Sequence, residues 1–504
     1  MGPKPRLDPY TRLLHRFYEP LILLRTLGKT RGEHTSSPLH ATPEQLKRRR
    51  LLRNLSYLCD YEKGGNTTTS IGLEENDECF VFWIASNTAR SGTRILKFLR
   101  STLLELRQII ELSEEQRGGP ENAFIRTCIT FAKSRVKKEI KMLASSIIKC
   151  NRYVSGDNPE EAYDQRKSSE MRWLEGEIQA RDGDSHSNER VHALEQVHHY
   201  LGRLAHHVRA PMEVVKDSYS LPRLFDVYDI RLIKRVGSNP RPEADSLTTL
   251  PNILRRMLPS NDPRLEEYRK NIQDLDHKFN ITARIQEKYE DKNFQPQIHA
   301  EIQVLEHFHA NHIHFVDDDR YIGCSKSACY CCHLYFLHHK ARPVVPESHQ
   351  SIYLNWGLRV LPEGARDLGY EEQRNLINKM LEAIRHDALD QIRRKAGPPR
   401  WHADSRTGIT MSTMEQSLDL DIMPPRKHSP EREIVASDVE SGLSEHIARI
   451  ELQSHILEAS SMSSLEDETS STDSATSVPR LHSETMVEFD SDSEDSDSIG
   501  GCAL

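Results

Sequence analysis

Four side chains of this 504-residue chain have the types and spacing to run hydrolysis at a metal ion: His299, Glu301, Cys329 and Cys332. Two thiolates and a neutral imidazole would hold Zn2+ and leave a fourth tetrahedral position for water, whose pKa the ion lowers to about 7. Glu301, two residues after the imidazole, need not bind the ion; it can accept the water proton and pass it to a substrate. Of the nine cysteines, Cys324, Cys329, Cys331 and Cys332 fall within one nine-residue window. A metal site gathers thiols in this way, whereas a disulfide framework scatters them. Reduced thiols call for an intracellular setting, nuclear or cytoplasmic. Cys324 and Cys331 remain alternative ligands. A set built on them would close the coordination sphere and leave His-Ala-Glu without a role.

The elements that must bring these residues together follow from hydrophobic spacing. Ile302, Leu305 and Phe308, with Val304 beside them, mark a helix whose first turn carries His299 and Glu301. A helix N-terminus also favours a carboxylate. Ile313–Val316 and Arg320–Cys324 read as strands, with Asp317–Asp319 as a solvated turn between them. Ser325–Ala328 is then a loop into a second helix, on which Cys329 and Cys332 lie one turn apart and can face one ion. Pro343–Pro346 suggests a further edge strand. Tyr353, Asn355 and Trp356 follow in a segment that could border a pocket; the rings of Tyr353 and Trp356 read first as core and otherwise as surfaces on which a base would stack.

His-Ala-Glu together with Ser-Lys-Ser-Ala-Cys-x-x-Cys resembles the paired signature of the cytidine deaminase-like superfamily. More narrowly, Asp319-Arg320-Tyr321-Ile322-Gly323-Cys324-Ser325-Lys326, Pro343–Pro346 and Asn355-Trp356 resemble a fungal deaminase-like family regarded as nucleic-acid deaminases. The resemblance covers roughly residues 290–360. It implies a cytidine deaminase-like α/β/α sandwich and a zinc-dependent hydrolytic deaminase acting on a cytosine or adenine moiety of a nucleic acid or nucleotide. The alternative is a non-catalytic, zinc-stabilised protein-interaction module derived from the same fold. Two departures stand out. The proline that precedes the first cysteine in related signatures is Ala328 here, which is expected to loosen the loop. The β-hairpin expected just before His-Ala-Glu meets a helical pattern at 251–290. That hairpin is therefore shortened, degenerate, or supplied from farther back, with Phe225–Val236 and Cys79–Ala85 as candidate strands.

The rest of the chain divides by composition. Residues 1–41 are rich in Arg and Lys, with Asp8, Glu19 and Glu33 as their acids and Pro20 as an interruption, and read as a basic N-terminal arm. Residues 42–154 form a helical N-terminal region: Thr42-Pro43-Glu44-Gln45 is a capping box, and two amphipathic helices break at Gly118-Gly119-Pro120. The Lys47–Arg50 run reads as a solvated helix face or a nuclear-localisation patch. Residues 155–190 are polar and read as a linker. Residues 191–396 form the deaminase-like zinc domain, opening with a helix whose His198, His199, His206 and His207 are expected on a solvated face. It ends with a helix marked by Ile377, Leu381, Ile384, Ala388 and Ile392.

From 397 to 504 the composition turns to Pro, Ser and acid, a disordered acidic tail that could recruit protein partners. Residues 455–504 hold −11 of the net charge of −8, leaving +3 on the remainder, a balance that permits nucleic-acid contact. The longest apolar run near the start, Leu21–Leu24, is far short of a membrane span, so no membrane partner is expected.

Overall fold

The computed structural model describes residues 8–37, 41–154, 185–259, 261–291 and 294–395. The acidic tail and most of the linker expected at 155–190 lie outside the described residues. In chain order the elements are α1 (Pro9–Leu27), α2 (Pro43–Cys59), β1 (Thr69–Glu75), β2 (Phe80–Ser86), α3 (Ala89–Ile110), α4 (Glu114–Phe131), α5 (Lys133–Val154), α6 (Ser185–Ser220), β3 (Tyr228–Leu232), α7 (Leu250–Met257), α8 (Leu265–Phe279), α9 (Ile281–Glu290), α10 (Ala300–Ala310), β4 (Ile322–Cys324), α11 (Tyr330–His338) and α12 (Tyr370–Arg394).

The hairpin of the sheet lies far upstream of His-Ala-Glu. β1 and β2 pair antiparallel, with Ile71 opposite Ile84 and Leu73 opposite Phe82. Asn76 shapes the turn between them: its side-chain oxygen accepts from the amides of Glu78 and Cys79 at 3.0 and 2.8 Å. The strand order is β3-β2-β1-β4, with β3 parallel to β2 and β4 antiparallel to β1. α2 and α3 cover one face, packing Leu51, Leu52, Leu55, Leu99 and Leu103 on Ile71, Leu73, Phe82 and Ile84. α10 covers the other with Val304 and Phe308. The architecture is mixed α/β, in the three layers expected.

Two adjacent glycines let the layers close. A Cβ on Gly72 would sit 2.7 Å from both Val304 and Phe308, and one on Gly323 would sit 2.5 Å from the Leu52 carbonyl carbon. Ile71 pairs with Gly323 and Gly72 with Ile322, so each glycine presents its bare side to a different helix. Gly323→Ala would have to move helix backbone rather than a flexible side chain. It should cost about 1–3 kcal/mol, measured as a shift in the denaturant midpoint at unchanged slope.

Several elements differ from expectation. Residues 9–27, expected within a basic arm, form a helix that runs through Pro20 and buries Phe17 and Leu21–Leu24 completely. Burial of each such side chain is worth about 1.5–3 kcal/mol, which outweighs the one helical hydrogen bond that proline removes. The regions expected at 42–154 and 191–396 share one sheet, because β1 and β2 come from the first and β3 and β4 from the second. The capping box is present, with Thr42 and Gln45 capping each other. The helix break falls at Glu111–Ser113, and Pro120 sits in the first turns of α4. Ile313–Val316 and Pro343–Pro346 do not form strands; Val316–Asp318 is instead a 3-10 turn.

The basic run on α2 is not a solvated face. Arg48, Arg49 and Arg50 are buried and paired: Arg48 with Asp317 at 2.6 Å, Arg49 with Asp319 at 2.7 Å, and Arg50 with Asp217 at 2.6 Å. They fasten α2 to the turn before β4 and to α6. Asp319 is accordingly buried rather than solvated. His206 and His207 are buried as well, the first against the Tyr57 ring at 4.3 Å and the second on Glu139 at 2.9 Å. Among the described residues no helix is long and apolar enough to cross a membrane.

Candidate functional site

α10 starts immediately after His299, whose extended backbone makes it the N-cap residue. Its imidazole does not cap the helix. That role falls to Asn87, just past the end of β2, whose side-chain oxygen accepts from the Ala300 amide at 2.8 Å across 213 residues of chain. Gln303 adds bonds to the carbonyls of Ile298 at 2.8 Å and Ser86 at 3.3 Å. The hairpin thus fixes the N-terminus of the helix that carries His299 and Glu301. Nothing in the local pattern around Asn87 marks this role, because its partner is reached only through the tertiary fold.

Cys329 is in turn the N-cap residue of α11, its sulfur accepting from the Cys332 amide at 3.4 Å. The preceding loop is held on several sides. Ser325 exchanges hydrogen bonds with Thr69, and Lys326 donates to the Gly64 carbonyl and lies 3.7 Å from Asp60. The Ala328 amide donates to the Glu347 carbonyl at 2.8 Å. A proline at 328 could not make that last bond. Ala328 therefore ties the loop down, contrary to the expected loosening. The two half-sites are joined by Glu306 of α10, which accepts from Tyr335 at 2.7 Å and pairs with His339 at 2.9 Å.

These constraints bring His299, Cys329 and Cys332 together. Their ligand atoms lie within 4.8 Å of one another, and all three residues are buried. His299 Nδ1 is 3.3 Å from Cys332 Sγ and 3.7 Å from Cys329 Sγ. Glu301 is 5% exposed, with Oε1 at 4.0 Å from His299 Nδ1 and Oε2 buried without a hydrogen-bond partner. Burial raises the Glu301 pKa above the usual carboxylate value, against the pull of His299. Burial would also raise Cys329, but hydrogen bonding from Cys332 and the charge of His299 hold its thiol well below the usual value. His299, which burial alone would lower, is raised by Cys329. These directions belong to the protein groups alone.

Residues 298–360 match the OTT_1508-like deaminase family. No curated protein and no solved structure gives a significant match. The matched segment contains α10, β4 and α11, and so both half-sites. It leaves out the β1–β2 hairpin and Asn87, which hold it in place.

Cys324 and Cys331 do not belong to the cluster. Cys324 accepts from Ser70 Oγ at 3.2 Å, and burial pushes its thiol up to about 12. Cys331 is fully buried in the apolar core, its thiol likewise raised by burial and then by Cys329. Of the three residues expected at a pocket wall, Trp356 is fully buried and has no face for a base. Its indole N–H instead donates to Cys332 Sγ at 3.2 Å. Asn355 contributes its backbone carbonyl to the Gln297 amide at 2.7 Å. Tyr353 is half-buried, its ring 6.4 Å from His299 and 5.7 Å from His349.

Proposed function

We propose that the protein is a zinc-dependent hydrolytic deaminase of the cytidine deaminase-like superfamily, acting on a cytosine or adenine moiety in a nucleotide or nucleic acid. The match at 298–360 supports the reaction type. The three layers around the sheet, with Asn87 at the end of the β1–β2 hairpin capping the His-Ala-Glu helix, support the superfamily. The donor set fits zinc: Nδ1 to Sγ separations of 3.3 and 3.7 Å bracket the value of about 3.6 Å that tetrahedral ligands at zinc bond lengths require.

A zinc ion held by His299, Cys329 and Cys332 would supply Lewis-acid activation of water. The chain's own residues do the rest. Asn87 fixes the position of the first turn of α10, and with it His299 and Glu301. Glu301, buried beside the three ligands, takes one proton from the attacking water and gives it to the ring nitrogen, then takes the second proton of that oxygen and delivers it to departing ammonia. Tyr353 offers the aromatic wall on which a base would stack.

The observation that carries this reading is the unpartnered Oε2 of Glu301 beside a set of three ligands rather than four. The test is ammonia release or base conversion over cytidine, adenosine, their nucleotides, single-stranded DNA and RNA, with zinc content measured on the same preparation. Turnover of at least one substrate with one zinc per chain is expected; metal-free protein as purified would overturn the proposal.

The same geometry assigns Trp356 a supporting part. Trp356→Phe keeps a ring against Phe17, now 5.6 Å away, but removes the donor to Cys332 Sγ. Loss of such a partner to a ligand costs about 10–100-fold in metal affinity. Competition with a chromophoric chelator should show that weakening, and unchanged affinity would rule out a role for the indole N–H at the thiolate.

A further inference from the structure

We infer that the groove between the N-terminal halves of α1 and α12 is a binding site for a phosphate-bearing anion. The two helices run parallel. Tyr10 meets Tyr370 at one end, with ring centroids 6.1 Å apart, and at the other Gln391 donates to the Leu27 carbonyl at 2.7 Å. Both positive helix ends therefore open on the same side. Between them lies a cavity of about 350 Å³ lined by Pro9, Arg12, Arg16, Tyr370, Arg374 and Asn378. Arg12 and Arg16 stand one turn apart on α1, and Arg374 and Asn378 one turn apart on α12. The groove is thus walled by two rows of long hydrogen-bond donors.

Charge compensation is incomplete. Arg374 pairs with Glu371 of its own helix at 2.9 Å, and Asp8 caps α1 by accepting from the amides of Tyr10 and Thr11. Among the described residues, no acidic side chain lies within ion-pair distance of Arg12 or Arg16. Two turns beyond Asn378, Arg385 keeps Nε and Nη2 buried without hydrogen-bond partners. Burial and then the charge of Arg16 push its guanidinium below the usual value, with Glu382 acting in the opposite sense. Among the described residues Arg12, Arg16 and Arg374 line the groove with Glu371 as their one ion-pair partner, and a bound phosphate would supply the counter-charge they lack. Its oxygens suit the planar forks of arginine better than any neutral ligand would.

Phosphate could come from a free phosphorylated small molecule or from a nucleic-acid backbone, and the site's chemistry is the same for both. The occupied groove would clamp α1 to α12 on the outer side of the helix. On its inner side Phe17 and Tyr18 support Trp356, Tyr18 donating to the Trp356 carbonyl at 3.2 Å.

The test uses the full-length protein with inorganic phosphate in one arm and an abasic oligodeoxynucleotide in the other, at ionic strength matched with chloride. Neither probe contains a base to deaminate, so the result is independent of the proposed reaction. Saturable binding is expected in at least one arm, and the arm that responds names the source of the phosphate. Arg12→Gln with Arg16→Gln should weaken it by about tenfold or more. Asn378→Asp, which leaves every guanidinium in place but adds a negative charge to the groove, should do the same. Arg100→Gln, at an exposed position on α3, should bind like the wild type. Thermal midpoints equal to wild type establish that the variants are folded. Absence of saturable binding in both arms would overturn the inference, as would undiminished binding by both groove variants.

Discussion

Glu301→Gln should retain zinc at wild-type stoichiometry and lower ammonia release by at least about a thousandfold, within the range by which general acid–base groups accelerate their reactions. The amide is nearly isosteric and can still donate or accept a hydrogen bond, but it cannot carry a proton from water to a ring nitrogen. Zinc is expected to stay because Glu301 lies outside the cluster of His299, Cys329 and Cys332. The amide fills the same volume at this buried position, so the thermal midpoint should stay near that of the wild type. Lost turnover with retained zinc and retained stability separates a catalytic carboxylate from a structural one. If the Glu301→Gln variant turns over like the wild type, the site is a structural zinc centre in a protein-interaction module. If zinc leaves with the carboxylate, Glu301 is a ligand and not a proton carrier.

The site was legible in the sequence to the extent that its parts are local. Ile302, Leu305 and Phe308 repeat within one helix, and the Cys329–Cys332 spacing spans one turn, so both half-sites followed from residues that sit close together in the chain. The same holds for the Thr42–Gln45 capping box and for the seam from Ile377 to Ile392, which is buried along α12 as expected. What failed depends on partners distant in sequence. Arg48, Arg49 and Arg50 read as solvated because the carboxylates that neutralise them, Asp217, Asp317 and Asp319, come from α6 and from the turn before β4. Only the second strand of the hairpin was placed, Cys79–Ala85 coinciding with β2. The first, Thr69–Glu75, shows little alternation, since Ile71 and Leu73 face one helix layer while Gly72 is pressed against the other. Trp356 was open to two readings, core first and stacking surface second, because an aromatic near a catalytic motif carries no sign of which way it points; the structure takes the first. Its burial against Phe17 depends on α1, a helix whose basic residues had suggested an arm.

The largest effect on stability should come from Glu139→Ala, at about 3–5 kcal/mol near pH 7. Glu139 is fully buried on α5 and accepts from Arg203 at 2.8 Å, His207 at 2.9 Å and Arg135 at 3.3 Å. Arg135, 1% exposed, reaches onward to the Asp60 carbonyl at 2.9 Å and carboxylate at 3.4 Å. Removing Glu139 would take a buried counter-charge from both Arg203 and Arg135, leaving Arg135 with Asp60. Burial alone would raise its pKa, but Arg203, His207 and Arg135 together hold it far below the usual carboxylate range. Asp60 is held down in the same sense by Lys326 and Arg135, against burial. Carboxylates depressed in this way stabilise the fold above their unfolded pKa, and that stability is lost as pH falls below about 4.3 toward the folded values. His206 and His207 are depressed by burial, so they add an earlier loss as pH falls through about 6.5, where the unfolded chain takes up protons first. Urea titrations at pH 7, 5 and 3.5 should therefore show wild-type stability falling in two stages. The gap between wild type and Glu139→Ala should narrow only in the lower one; a gap independent of pH would mean that Glu139 acts through packing and not through charge. Because Asp60 also holds Lys326, three residues before Cys329, this buried chain of charges fastens the α5–α6 pair to the loop that delivers the first thiol. A fold-wide loss of stability should for that reason appear at the metal site before the sheet itself unfolds, as zinc release at urea concentrations where the far-ultraviolet signal is still native.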